Sequence, residues 1–326
     1  MQMVSKWIVA AGAAVSLFAG LGASHAQQTI HVGWTIPAEE SKYWMMRRPE
    51  QFPDIGKTYK IEWTQFQGTA PMTQALAAGA LDCATQAPLS LANGVVGGNL
   101  KAYIVAQHVF EKPGGFSVYW AVKDDSPIKT IADLKGKTVG ISVIGGGTQG
   151  PFNMLLKQNG VDPAKDIKLV EVGFAVSEDA LRQGRVDAVN MNQPFAAHAE
   201  AKGGTRKLFS LSQAMPNIVH ILEACRADFV DKNPDVVRAY VRDITLGMKK
   251  ALANRDETLK VVNEVLKAPI PVLDTYLLKD NDFGRDPGAA PNFPAIQKML
   301  DIYHDAGMLP KMDVAQFKGP ITAPIQ

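Results

Sequence analysis

Short apolar runs with period-two alternation recur along the chain, and most are followed by a stretch with helical spacing. Residues 29–34 (TIHVGW) and 60–66 (KIEWTQF) read as strands, and 71–80 as a helix whose C-terminal end suits Gly79. Short strands are expected at 81–84 and 101–107. The pattern resumes with a strand at 138–144, a helix at 152–159 closed by Gly160, and a strand at 167–172. A helix at 178–183 stopped by Gly184 and a strand at 186–190 follow. From Asn233 onward the chain reads as mostly helical. Asn233-Pro234 opens a long amphipathic helix with Val236, Val237, Tyr240, Val241, Ile244 and Met248 on its apolar side. Alternation of this kind predicts an α/β fold of mostly parallel sheets with helices on both faces.

The pattern A-L-x-x-G-x-φ-D occurs twice, at 75–82 and at 180–187. Each copy runs into a strand and then a proline, through Gln86-Ala87-Pro88 in one and Asn192-Gln193-Pro194 in the other. The spacing of about 105 residues is too long for a solenoid and fits two similar α/β lobes in one chain.

Charge and cysteine content narrow the function. With 34 Lys+Arg against 32 Asp+Glu in 326 residues, the balance gives no basis for a nucleic-acid partner. CxxC, HExxH and P-loop patterns are absent from the sequence. Residues 1–26 read as a secretory signal: Lys6, an apolar run over 7–21, then Ser24-His25-Ala26, with cleavage expected after Ala26. The run is shorter than the roughly 18 apolar residues that a membrane span needs. An exported mature chain would hold Cys83 and Cys225 in an oxidising space, where a disulfide or two buried thiols are both open.

Ligands of open α/β sheets bind beyond the carboxyl ends of the strands, where loops feed helix N-termini. Gly68-Thr69-Ala70-Pro71 is one such loop, with Thr69 suited to an N-cap and Pro71 to an early helical position. Gly145 to Pro151 (GGGTQGP) is another, with glycines for close backbone approach and Thr148 and Gln149 as neutral donors. Gly145, Gly147 and Gly150 also spell GxGxxG, with Glu171 about 20 residues on, which would mean a dinucleotide cofactor. The motif's depth in the chain, the expected export and the strand-like LVEV setting of Glu171 all weigh against that, so no cofactor is expected. No two histidines are paired at metal-ligand spacing and no GxSxG occurs, so neither a metal nor a catalytic residue is assigned. His108 and His220 lie near the expected crossings between lobes, where either could reach the cleft.

Several segments together resemble the exported solute-binding proteins of ABC importers, in the sulfonate/taurine/nitrate-binding family with its thiamine-precursor-type relatives. They are 30–34 (IHVGW), 63–68 (WTQFQG), 75–82, 85–88 (TQAP), 128–139 (IKTIADLKGKTV), 146–149 and 186–188 running into Pro194, with Asp228-Phe229 and Asn233-Pro234. The resemblance implies a two-lobed type II periplasmic binding protein fold. Lobe 1 would be 27–118 plus 219–326 and lobe 2 would be 119–218, with crossings near Val118 and Val219. It implies a non-enzymatic, monomeric periplasmic receptor that closes over its ligand and docks on an ABC permease in the inner membrane. Carried over by position, the ligand-binding residues are Trp34, Thr35, Gln67, Thr69, Gln86, Ala87, Gly147, Thr148, Gln149, Asn192 and Gln193.

Departures from the family pattern bear on the ligand. Asn192-Gln193 stands where an aromatic often precedes the proline, and Ile221 stands near the acidic position of taurine binders. The loops carry no Arg or Lys. A small organic anion is therefore expected, a sulfonate or an aromatic or aliphatic carboxylate rather than taurine, held by helix N-termini and amides with its body against Trp34. The alternatives are an exported enzyme on the same scaffold and a ligand sensor with another membrane partner. The enzyme would be an NAD-linked oxidoreductase or a thiamine-precursor synthase relative, and the latter would want clustered Cys and His.

Overall fold

The computed structural model describes residues 27–215 and 217–324. The expected signal segment and its cleavage site lie outside the described residues. Along the first part run β1 (Gln28–Trp34), α1 (Glu40–Arg47), β2 (Tyr59–Gln65), α2 (Thr69–Ala77), β3 (Cys83–Gln86), α3 (Pro88–Gly98) and β4 (Ala102–Phe110). Next come β5 (Tyr119–Lys123), β6 (Thr138–Ile141), α4 (Gln149–Gln158), β7 (Lys168–Glu171), α5 (Ser177–Arg182), β8 (Ala188–Met191), α6 (Phe195–Lys202) and β9 (Thr205–Ser210). The chain closes with β10 (Val219–Arg226), α7 (Ala227–Lys232), α8 (Pro234–Ala253), α9 (Arg255–Leu266), α10 (Ile270–Asp274) and α11 (Phe293–Asp305).

The strands form two five-stranded sheets, ordered β2-β1-β3-β10-β4 and β7-β6-β8-β5-β9. The two orders are the same pattern, with β1, β2 and β3 corresponding to β6, β7 and β8. This is the α/β two-lobed architecture. The sheets are mixed rather than mostly parallel: in each, two pairings are parallel and two antiparallel. The antiparallel pairings all involve β10 or β5, the strands by which the chain returns to the first sheet and enters the second. Neither was expected as a strand, because their long apolar runs (VHILEACR and YWAVK) pair only with partners distant in sequence.

The repeated A-L-x-x-G-x-φ-D motif makes the same joint twice. Gly79 (φ +74°) and Gly184 (φ +70°) end α2 and α5 in the left-handed region that glycine tolerates. Three residues later an aspartate hooks the neighbouring strand. Asp82 Oδ2 accepts from His31 N at 2.9 Å while Asp82 N donates to His31 O at 2.9 Å. Asp187 does the same to Thr138, at 2.9 and 2.8 Å. The hook uses residues 81 and 82, so β3 begins at Cys83 rather than at Leu81.

Cys83 and Cys225 face each other across the antiparallel β3–β10 pair and form a disulfide, which decides between the two states left open by the sequence. Against the second sheet, Trp120, Phe152 and Phe209 lie in near-parallel planes, with the Trp120 centroid 4.3 Å from Phe152 and 5.4 Å from Phe209. The long C-terminal helix forms as its periodicity predicts. Val237, Tyr240, Val241, Ile244 and Met248 of α8 are buried, and α8 packs on α1.

Candidate functional site

The loops after β1, β2, β3, β6, β7 and β8 converge between the two sheets. They enclose a small pocket, with a cavity volume of about 50 Å³. From the first sheet come Thr35, Ile36, Pro37, Gly68, Thr69 and Ala87, together with His220 and Ile221 of β10. From the second come Ser142, Val143, Gly146, Gly147, Thr148, Phe174 and Asn192. Two helix N-termini, those of α2 and α4, meet here. Their free N–H groups and dipoles favour negative charge.

None of the described residues that line the pocket is an Asp, Glu, Lys or Arg. His220 stacks on Phe283 with centroids 5.3 Å apart, and burial lowers its pKa to about 4, so the ring is neutral near pH 7. The hydroxyls are tied into the wall. Thr35 Oγ1 donates to Phe66 O at 2.9 Å, and Ser142 Oγ to Asn190 Oδ1 at 3.0 Å. Thr69 Oγ1 lies 2.7 Å from Ser90 Oγ, which in turn donates to Gly145 O at 3.2 Å and so links α3 to the second sheet's loop.

Six of the residues expected at the site gather here: Thr35, Thr69, Ala87, Gly147, Thr148 and Asn192. The structure directs the other five elsewhere. Trp34 turns into the core against Tyr43, edge to face at 6.0 Å, because alternation along β1 puts neighbouring residues on opposite sides. The aromatic wall is supplied by Phe174 instead. Gln86 Oε1 accepts from Thr73 at 2.6 Å. Gln149 Oε1 accepts from Gly145 N at 2.6 Å, and Gln193 Oε1 from Ala197 N at 3.2 Å; both hold their own loop. Gln67 lies beside Gly173. Of the two histidines considered, His220 reaches the cleft and His108 does not. Thr69 is the first residue of α2 rather than its cap.

The dinucleotide motif is put to another use. Glu171 Oε2 accepts from Ile144 N at 2.8 Å, so it braces the loop. The glycines admit the opposite lobe. A Cβ on Gly147 would lie 2.4 Å from Ala87 Cβ, and one on Gly150 2.5 Å from Leu89 Cδ2. On the other side, a Cβ on Gly68 would lie 2.6 Å from Val143 Cγ2.

Beneath the Thr35 loop lies a buried ionic cluster that sequence reading missed. Glu39-Glu40-Ser41-Lys42 looks like a solvated first helical turn, yet none of the four exceeds 2% exposure. Glu39 Oε1 accepts from Thr35 N at 3.0 Å and so fixes the loop. Lys42 Nζ donates to Thr85 Oγ1 at 2.6 Å and Gly33 O at 3.1 Å, and lies 2.6 Å from Glu223 Oε2 and 3.2 Å from Glu39 Oε2. Tyr240 and His108 complete the shell of Glu223, at 2.9 and 3.2 Å. Burial alone would raise the pKa of Glu223, but Lys42 and His108 outweigh it and hold the carboxyl below its ordinary value. Burial dominates at Glu39, whose pKa is raised. A second buried cluster joins Arg285 to Glu40 and Asp282, both at 2.9 Å.

Residues 60–258 match the family described as NMT1/THI5 like. A protein of Escherichia coli (strain K12) named for binding aliphatic sulfonates is 23% identical over 97% of this chain and 96% of its own. Among solved structures, the alkanesulfonate-binding protein SsuA from Xanthomonas axonopodis pv. citri, bound to MOPS, is similar with a TM-score of 0.73. It is 18% identical, covering 90% of this chain and 99% of its own. The periplasmic nitrate-binding protein NrtA from Synechocystis PCC 6803 has a TM-score of 0.67 at 16% identity, covering 89% of this chain and 84% of its own.

Proposed function

The chain belongs to the NMT1/THI5-like family, and from that premise we propose that it is a periplasmic solute-binding protein, not an enzyme, which captures a small organic anion for an ABC importer. The observation that carries this reading is the pocket itself. It lies between two lobes, beyond the carboxyl ends of their strands, with two helix N-termini facing it and, among the described residues, no charged side chain in its wall. Such a wall binds negative charge through amides and dipoles and leaves it chemically unaltered. The relatives named for binding sulfonates and nitrate support the same class of ligand. Micromolar capture needs about −8 kcal/mol. Four or five hydrogen bonds to a charged group, at about 1.5–3 kcal/mol each, supply that after the cost of closing the lobes.

In this reading lobe 1 is 27–118 with 219–326, and lobe 2 is 119–218. The signal segment is removed after Ala26, and the ligand-loaded monomer docks on a permease in the inner membrane. Titration calorimetry of the mature chain against alkanesulfonates, aromatic and aliphatic carboxylates, nitrate and NAD tests the proposal. One of the anions is expected to bind at micromolar Kd or tighter. Tight NAD binding with no response to any anion, or turnover of the captured ligand, would replace it.

A further inference from the structure

The geometry points to a ligand that carries a neutral hydrogen-bond donor, a hydroxyl or an amide N–H, beside its acidic group, with Asn192 and Ser142 as the residues that read it. This deepens the proposed function and rests on it.

Asn192 lines the pocket and is 3% exposed, yet neither its Oδ1 nor its Nδ2 has a partner among the described residues. A carboxamide offers donors at one atom and an acceptor at the other. A fully deprotonated sulfonate, or nitrate, only accepts. It would serve Nδ2 and leave Oδ1 buried against lone pairs, and a buried acceptor without a donor is costly. Interchanging the two amide atoms changes nothing, because both are open.

The hydroxyls point the same way independently. Ser142 gives its proton to Asn190 Oδ1, and Thr35 gives its proton to Phe66 O. Ser90 gives its proton to Gly145 O, so the hydrogen bond between Ser90 and Thr69 is donated by Thr69. The hydroxyls of Ser142, Thr35 and Thr69 therefore turn only lone pairs toward the cleft, while that of the lining Thr148, without a partner among the described residues, is free to donate or accept. With Asn192 Oδ1, the wall offers more acceptors than a pure acceptor ligand could face.

Donors for the acidic group are still present. Among the described residues, the N–H groups of Gly147 and Thr148, at the start of α4, donate to no protein acceptor. The ligand's own donor must be uncharged. Among the described residues no carboxylate lines the pocket to balance an ammonium, and Glu39 beneath it is committed to Thr35 N and faces Lys42. Phe174, Ile36 and Ile221 leave an apolar wall for a short carbon body. The class that fits is a short hydroxy- or amide-bearing organic acid.

Calorimetry with matched pairs tests this: ethanesulfonate against 2-hydroxyethanesulfonate, propionate against 2-hydroxypropionate, and benzoate against 2-hydroxybenzoate. In at least one pair the hydroxylated member is expected to bind tenfold tighter or more, since a site built around a ligand hydroxyl rejects the analogue that lacks it. Asn192→Leu is expected to bring that ratio to within threefold of one. Ser142→Ala, read the same way, serves where Asn192→Leu does not fold by circular dichroism. Pairs of equal affinity, or a preference that survives substitution, overturn the inference while the anion reading stands. Binding of no member of any pair overturns both.

Discussion

Glu111 shows how one residue's setting becomes a property of the molecule. It follows β4, on the path from the first sheet to the second, and is 3% exposed. Its Oε1 accepts from Val118 N at 3.2 Å and its N–H donates to Ile218 O at 2.8 Å, so it joins the two crossing segments. Burial raises its pKa to about 7, against the pull of bonds from Ser117 and Val118 and of the Lys207 charge. A carboxyl whose folded pKa lies above its unfolded value favours the fold when protonated. That contribution is complete below about pH 4.5 and is lost as the pH rises through about 7. Unfolding free energy is expected to fall by about 3 kcal/mol on this account between pH 4.5 and 8. Urea titrations of the wild type and Glu111→Gln across that range check it, the variant being flatter by about that amount. Lys42 works in the opposite sense, since its charge is what makes the buried Glu223 carboxylate tolerable; breaking such a pair typically costs about 3–5 kcal/mol.

At the scale of elements, the glycine-rich loop before α4 is shaped by what it must approach. Gly147 has no backbone need for glycine, but its missing side chain is the space in which Ala87 sits. Gly147→Val is expected to weaken ligand binding tenfold or more by holding the loops apart, with little change in the urea midpoint. Calorimetry and denaturation on the same preparation check it; unchanged affinity would mean that the contact is not part of the bound state. How legible these elements were in the sequence follows from the range of the forces involved. The alternation of strand and helix, the doubled A-L-x-x-G-x-φ-D joint and the loops at strand ends depend on neighbours a few residues apart, and all could be read. The directions of β5 and β10 depend on partners far along the chain. The orientation of Trp34 against Thr35 turned on a single step of the pleat. The ionic cluster at 39–42 carried no local sign of burial, because the groups that cover it, His108, Glu223, α8 and Arg285 among them, arrive much later in the chain.

For the whole molecule, the two sheets share one design and differ in how the chain reaches them. The first is built from both ends of the sequence and the second from an uninterrupted stretch. The pocket loops therefore come from six strand ends, and most of the candidate site was legible as loops before it was legible as side chains. Thr35, Thr69, Ala87, Gly147, Thr148 and Asn192 were found that way. Ile221 was placed near the ligand only through the family resemblance, and Phe174, Ser142 and Ile36 were not found, because nothing in their local pattern sets them apart from ordinary strand and loop residues.

The bond between Cys83 and Cys225 closes a ring of covalent chain, and every strand of the second sheet lies on that ring. A protease that cuts at the exposed Asp124-Asp125 turn should thus leave a nicked species that migrates as a single band on a denaturing gel. It should separate into two fragments only when a thiol reductant is added. A preparation stored after accidental clipping would gain no more than a water molecule and conceal the damage on a gel until that band was reduced.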